Sequence, residues 1–312
     1  MSKRWTAMLL ASLVVVNVVL VTWAYRSLQS VPSGEAATVQ VSAPAEQATT
    51  EADEDPEPAA TEQNDESADT PGLPEAFPVL APIGADEAFR VAAVECPGTG
   101  STLEFTSDGG QTWSSTDAPA LVAAQRMLAP DTSRVTLVGL DGTGCEPAAL
   151  QSFVAGADWE PVEGLAGYWL IDDDQVLVPS GTGTEPCQET PAQLAALDNS
   201  TAFVLCADRT LMATTDAAAW SEAATADAAL AIGADAGASG PAVLIAAAGN
   251  GDCDGIAIQR LTTSGNETEE LGCADTDAGS GGVAVGGASD GTLWLWAGDE
   301  VLRSTDDGAS WQ

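Results

Sequence analysis

Apolar and polar positions divide the chain into three stretches. Trp5 to Tyr25 is an apolar run of 21 residues whose one strongly polar member is Asn17. Residues 26–76 are polar, acidic and rich in Pro, Ala and Thr. From Phe77 onward, short apolar runs alternate with Gly-rich polar turns: 91–94 (VAAV), 135–138 (VTLV), 202–205 (AFVL), 242–245 (AVLI) and 293–296 (LWLW). Each precedes a polar, mostly Trp-terminated turn by some 15 to 25 residues, which places it as the second strand of a four-stranded unit. Strands that are apolar on both faces are strands packed on both faces. Ala-rich segments such as 227–238 have helical propensity. Recurrent Gly and the turn spacing argue for strand instead. The expected class is all-β.

The turns repeat. Residues 106–113 (TSDGGQTW) and 304–311 (STDDGASW) share the pattern S/T-x-D-x-G-x-S/T-W. Its chemistry is that of a tight hairpin. Asp108 and Asp306 can accept hydrogen bonds from the turn's own amides, with Thr106 and Ser304 tying the turn from the other side. Gly110 and Gly308 supply positive φ at no steric cost. Trp113 and Trp311 open the next strand with a large apolar anchor. Degenerate copies follow at 152–159 (SFVAGADW, Val154 in place of Asp), 214–220 (TTDAAAW, one residue short) and 262–269 (TTSGNETE, the polar turn only).

This pattern resembles the Asp-box, or bacterial neuraminidase repeat, of sialidases, sortilin-type receptors and photosystem assembly factors. The resemblance implies a β-propeller in which the box joins the third and fourth strands of a blade, away from the active face. The box aspartates are then scaffold and not catalytic. Closing positions 113, 159, 220, 269 and 311 are separated by 46, 61, 49 and 42 residues, the length of a four-stranded blade. Five blades are expected over 77–312. The long interval holds an extra hairpin at 168–178, either an insertion or a stunted sixth blade. Because Gln312 stands where a fourth strand would start, an N-terminal strand near 78–83 is expected to close the ring.

Twenty-one helical residues at about 1.5 Å each cross a hydrocarbon core of roughly 30 Å. Residues 5–25 therefore read as a transmembrane signal anchor, uncleaved because the run is long and ends on bulky Trp23 and Tyr25. Lys3 and Arg4 place residues 1–4 in the cytoplasm and the remainder outside the cell membrane. Residues 26–76 bury too little apolar surface to offset chain entropy and read as a disordered, extended linker.

Cys96, Cys145, Cys187, Cys206, Cys253 and Cys273 all fall in the C-terminal domain. An even number outside the cytoplasm reads as disulfides, with fifteen possible pairings. Local spacing favours Cys187–Cys206 and Cys253–Cys273, which leaves Cys96–Cys145 between adjacent blades. With no C-x-x-C and no His in the chain, neither a metal nor another cofactor is expected. Asn250 to Gly255 matches half a calcium loop, but Leu261 occupies the twelfth position, where a bidentate Glu belongs.

The chain carries 47 acidic and 9 basic residues, a net charge of −38. Nucleic acid is excluded as a partner, since binding it needs cations against phosphate. Lack of His closes Ser-His-Asp and Cys-His catalysis. The sialidase resemblance would add a three-arginine clamp on a substrate carboxylate and a Tyr nucleophile paired with Glu. Phe89-Arg90-Val91 lies where the first clamp arginine would be, though the Pro of that family's F-R-I-P stretch is missing. Tyr168 sits too early in the domain. The expectation is a monomeric, membrane-tethered β-propeller that binds protein or glycan without catalysis. A divergent sialidase-like glycoside hydrolase and an assembly factor for a membrane complex are the alternatives, and the placement of the arginines decides on the first.

Overall fold

The computed structural model describes residues 73–118, 121–237, 242–249, 252–262, 268–278 and 282–312. The apolar run at 5–25 and the acidic stretch up to residue 72 lie outside the described residues. Among the described residues there is no helix, and none long and apolar enough to cross a membrane.

The strands form six antiparallel units in chain order. The first holds β1 (Val79–Pro82), β2 (Ala88–Val91), β3 (Ser101–Thr106) and β4 (Ser114–Ala118). The second holds β5 (Leu121–Leu128), β6 (Val135–Asp141), β7 (Pro147–Ser152) and β8 (Glu160–Pro161). A short third unit has β9 (Leu170–Asp172), β10 (Gln175–Leu177) and β11 (Gly183–Thr184). The fourth holds β12 (Pro191–Ala196), β13 (Ala202–Cys206), β14 (Thr210–Thr214) and β15 (Ser221–Thr225). The fifth holds β16 (Ala229–Asp235), β17 (Ala242–Ala248), β18 (Ile256–Thr262) and β19 (Thr268–Ala274). The sixth holds β20 (Val283–Gly287), β21 (Leu293–Ala297) and β22 (Glu300–Ser304), joined to the fifth by one parallel bridge, Asp235 to Gly287. Leading strands β1, β5, β9, β12, β16 and β20 neighbour one another in that order, and β20 neighbours β1. The arrangement is that of a propeller, with the leading strands around the axis.

Two expectations are corrected. There are four complete four-stranded units and two of three strands, not five blades; the hairpin in the long interval is the third unit in its own right. The N-terminal strand β1 pairs with β2 and not with β22. In the sixth unit the fourth-strand position begins at Gln312, which exchanges two backbone hydrogen bonds with Arg303, at 2.9 and 3.0 Å. The expected second strands at 135–138, 202–205, 242–245 and 293–296 lie in β6, β13, β17 and β21. The run at 91–94 only begins in a strand, since β2 ends at Val91.

Five of the six seams between units are apolar. Phe89, Leu103 and Leu137 fill the first; Val138, Ala149 and Leu170 the second; Trp169, Val176 and Val204 the third. Phe203, Leu211 and Ile245 fill the fourth, and Leu244, Ile258 and Leu295 the fifth. The seam that closes the ring, between the sixth and first units, is built from tryptophan and arginine instead. Trp294 Nε1 donates to the Gly84 carbonyl at 2.9 Å, and Arg303 donates to the Ala85 carbonyl and to Asp86. Arg90 pairs with Glu104 at 2.7 Å and lies between the Trp113 and Trp296 rings, 4.0 and 4.5 Å from their centroids. Residues more than 200 positions apart meet here, so ring closure is a long-range event with few local contacts behind it.

Candidate functional site: an axial cavity and its channel

Strand alternation fixes two faces. Outside the third unit the leading strands start on one face, so the second-to-third-strand loops return there, while the third-to-fourth-strand hairpins lie on the opposite face; β9 runs the other way, and its β9–β10 turn reaches the first face. On the first face a cavity of about 820 Å³ opens at the axis. Its walls are the starts of β5 and β12, the β9–β10 turn (Asp172, Asp173, Asp174) and the segment 73–77. Residues 73–76, which composition assigns to the linker, thus line the cavity, and Leu73 packs against two core clusters. The Cys96–Cys145 disulfide, joining loops of the first and second units, stands at its edge.

The cavity continues into a narrow channel of about 90 Å³. Along β5 and β12 the lining passes from one to the other: Ala123 to Gln125 and then Gln125 to Met127 on β5, Pro191 to Leu194 and then Gln193 to Ala196 on β12. Two glutamines hold the junction. The Gln125 amide donates to the Ile171 carbonyl at 2.9 Å and accepts from the Ile171 amide at 2.8 Å, replacing a β5–β9 ladder rung with a side chain. Gln193 Oε1 accepts from the Ile232 amide at 2.7 Å. Gly233 allows the close approach of β16 and β20, since a Cβ there would stand 1.7 Å from the Val285 carbonyl oxygen.

Among the described residues, Arg126 is the only charged one that lines the channel. Its guanidinium donates one hydrogen bond, to the Trp169 carbonyl at 3.3 Å. Burial pushes its pKa down to about 10, and it remains cationic at neutral pH. The other five arginines of the domain go elsewhere. Arg90 and Arg303 hold the closing seam. Arg134 pairs with Asp131 on an exposed loop, Arg209 donates to the Ala229 carbonyl, and Arg260 binds Asp235 and Asp307. The three-arginine clamp implied by the sialidase resemblance is therefore not assembled on the axis. Tyr168 packs against the Val138, Ala149 and Leu170 cluster. Among the described residues, no three acidic, Cys or His side chains are placed to hold a metal.

The repeated hairpins lie on the face away from the cavity. In the first, Asp108 Oδ1 accepts from Thr106 Oγ1 (2.8 Å) and the Thr112 amide (2.9 Å), and Oδ2 accepts from Thr112 Oγ1 (2.6 Å). The last repeats this with Asp306, Ser304 and Ser310 at 2.8, 2.9 and 2.6 Å. Thr106 Oγ1 and Ser304 Oγ in turn accept from the Gly110 and Gly308 amides, at φ of 86° and 89°. Where Val154 replaces the Asp, Ser152 alone still caps Gly156 at 2.8 Å. In the shortened copy Ala217, directly after Asp216, takes φ 56°, as Asp307 does at φ 60° in the last hairpin. Each tryptophan turns back onto a seam: Trp113 under Arg90, Trp159 and Trp311 onto apolar clusters, and Trp220 edge-on to Trp169 at 6.0 Å. All six cysteines are paired, as Cys96–Cys145, Cys187–Cys206 and Cys253–Cys273.

The carboxyls that leave their ordinary range do so downward, because amides and hydroxyls stabilise the charged form. Hydrogen bonds from Thr112, then Thr106, hold Asp108 at about 2. Asp306 is lowered by Ser310 and Ser304, and Asp216 by the Ala219 and Ala218 amides. A depressed folded-state pKa contributes stability above the unfolded value, 3.8, and loses it as pH falls through the folded value. The hairpin around Trp113 should therefore loosen between about pH 4 and 2. Acid titration of tryptophan fluorescence checks this. Asp108→Asn should abolish the step and lower the melting temperature at neutral pH.

Sequence reasoning missed Gln125, Gln193 and Arg126. One signal was present: Ala-Gln recurs at 124–125 and 192–193 near the start of two leading strands.

Comparison with known proteins gives fold-level likenesses only. No family model matches the chain, and no curated protein matches it in sequence. Among solved structures, YCF48 bound to a D1 peptide is similar at 15% identity and a TM-score of 0.29, over 77% of this chain and 69% of that one. YCF48 from Cyanidioschyzon merolae gives 14% and 0.36, over 78% and 86%. The WD40 β-propeller domain of Doa1 gives 8% and 0.42, over 77% and 97%. Nothing about this chain's ligand follows from them.

Proposed function

We propose that the protein is a membrane-tethered, extracytoplasmic propeller of six Asp-box-type blades that binds a segment of a partner protein in its axial cavity, without catalysing a reaction on it. The cavity of about 820 Å³ carries this reading: it opens where loops of several units converge, the usual place for a ligand on such a scaffold. Protein is favoured over glycan by the lining. Sugars pack their C–H faces on exposed aromatic rings, and the one aromatic in the wall, Phe77, is 8% exposed. Backbone edges and the Asp172 to Asp174 turn offer hydrogen bonds to a polypeptide instead. A non-catalytic role is supported by the separate partners of the six arginines and by Tyr168 packing in a core cluster.

The tether rests on the 5–25 run with Lys3 and Arg4 before it. Three disulfides support an oxidising compartment. Anchoring raises the local concentration of the propeller for a membrane-bound partner. The chain is expected to act as a monomer. The test is photo-crosslinking in intact membranes from Asp174 at the cavity mouth and from Asp158 on a hairpin of the opposite face. A discrete protein adduct is expected from the first position only.

A further inference from the structure

We infer that Arg126 is a carboxylate-binding subsite at the bottom of the axial cavity, taking an Asp or Glu side chain of a partner polypeptide whose flanking residues are neutral or basic. The inference deepens the proposed binding function and rests on it for the nature of the occupant. Charge placement is the first argument. In a chain with 47 acidic and 9 basic residues, the channel lining contains, among the described residues, no carboxylate side chain and one arginine. The other described arginines lie outside the channel lining, held by carboxylates or, for Arg209, by the Ala229 carbonyl among its contacts. Arg126 lines the channel, and one of its five N–H donors goes to a backbone carbonyl, that of Trp169.

Size is the second argument. About 90 Å³ holds roughly three waters, the room of a carboxyl group and little more. The body of the ligand must then stay in the wider cavity above. Its wall carries Glu75, Glu95 and the Asp172 to Asp174 turn, so a polyanion is repelled at the mouth and a basic flank is attracted. The complementary ligand is one acidic side chain between basic residues. A guanidinium with little solvent around it gains more from a carboxylate than an exposed one does. Gln125 and Gln193, each locked to a neighbouring strand, hold the channel walls in place for this contact.

Two probes test it on the full chain in detergent micelles. Fluorescent Ac-Lys-Ala-Glu-Ala-Lys-NH2 should bind at least about tenfold more tightly than its Gln counterpart, since a charge-assisted bond to a half-buried cation is lost. Ac-Glu-Ala-Glu-Ala-Glu-NH2 should be weaker than the first. In Arg126→Gln the Glu and Gln peptides should bind equally, and Arg126→Lys should restore part of the preference. Separately, acetate should slow phenylglyoxal modification of Arg126 in the wild-type protein, read by mass spectrometry, while methylammonium should not. Equal binding of the two peptides to the wild type, or an Arg126 that acetate leaves unprotected, would overturn the subsite. Acetate protection with no peptide bound would keep the carboxylate contact and overturn the polypeptide as its source. Because the acetate arm uses no variant, misfolding of Arg126→Gln leaves the inference testable.

Discussion

Trp294→Ala is expected to open the ring. Trp294 is fully buried in the closing seam, and its indole donates to the Gly84 carbonyl of the first unit. It also lies 5.5 Å from the Arg303 guanidinium and 3.6 Å from where a Cβ on Gly110 would stand. Large-to-small changes at buried tryptophans cost about 3–5 kcal/mol. None of the three disulfides spans this seam, so no covalent link compensates. Loss of stability in denaturant melts should be accompanied by new protease cleavage in the β1–β2 loop. Trp294→Phe separates the two contributions. It keeps most of the ring packing and leaves the Gly84 carbonyl unmet, for about 1–3 kcal/mol. Equal losses from both variants would mean that the hydrogen bond, and not the packing, closes the ring.

Arg260→Met is the second large effect. Arg260 Nε contacts Asp235 at 2.8 Å, with side-chain exposures of 6% and 3%. Its other nitrogens grip Asp307 in the last hairpin at 2.6 and 3.2 Å. The Asp307 contact, foremost, raises the Arg260 pKa, and Arg260 in turn lowers that of Asp307. Asp307 is 61% exposed, so that half of the pair is screened and worth little. Asp235 is the costly member. Without Arg260 its buried carboxylate keeps the Gly237 amide as a neutral donor and no cation, a loss of about 3–5 kcal/mol. The cost should fall strongly in Arg260→Met with Asp235→Asn, where no charge is stranded. Additive losses in that double variant would show that the pair is not coupled. The latch also explains Gly287: a Cβ there would lie 2.1 Å from Asp235 Oδ1.

Much of this architecture was legible in the sequence, for physical reasons. Hairpins at 106–113 and 304–311 need fixed residue types at fixed offsets, so the pattern survives as text. Second strands are apolar on both faces because they are enclosed by neighbouring units, and that also reads directly. The third unit was ambiguous because β9 to β11 are two or three residues long, too short for a period, and carry no Trp hairpin. The closing strand was misplaced because pairing of β1 depends on which neighbour it meets after more than 200 residues of chain, and no local pattern encodes that. Arg126 was invisible for a similar reason. In the sequence of the domain it is one of six scattered arginines; only the ring places it in the lining of the channel.

The most direct test of axial binding is the pair of photo-crosslinkers at Asp174 and Asp158 in the membrane-bound full chain. Both positions are exposed, one at the cavity mouth and one on the far face. The account predicts a discrete protein adduct from position 174 that is lost in Arg126→Gln, and none from position 158. Adducts from position 158 alone, or the same adducts from both, would contradict it.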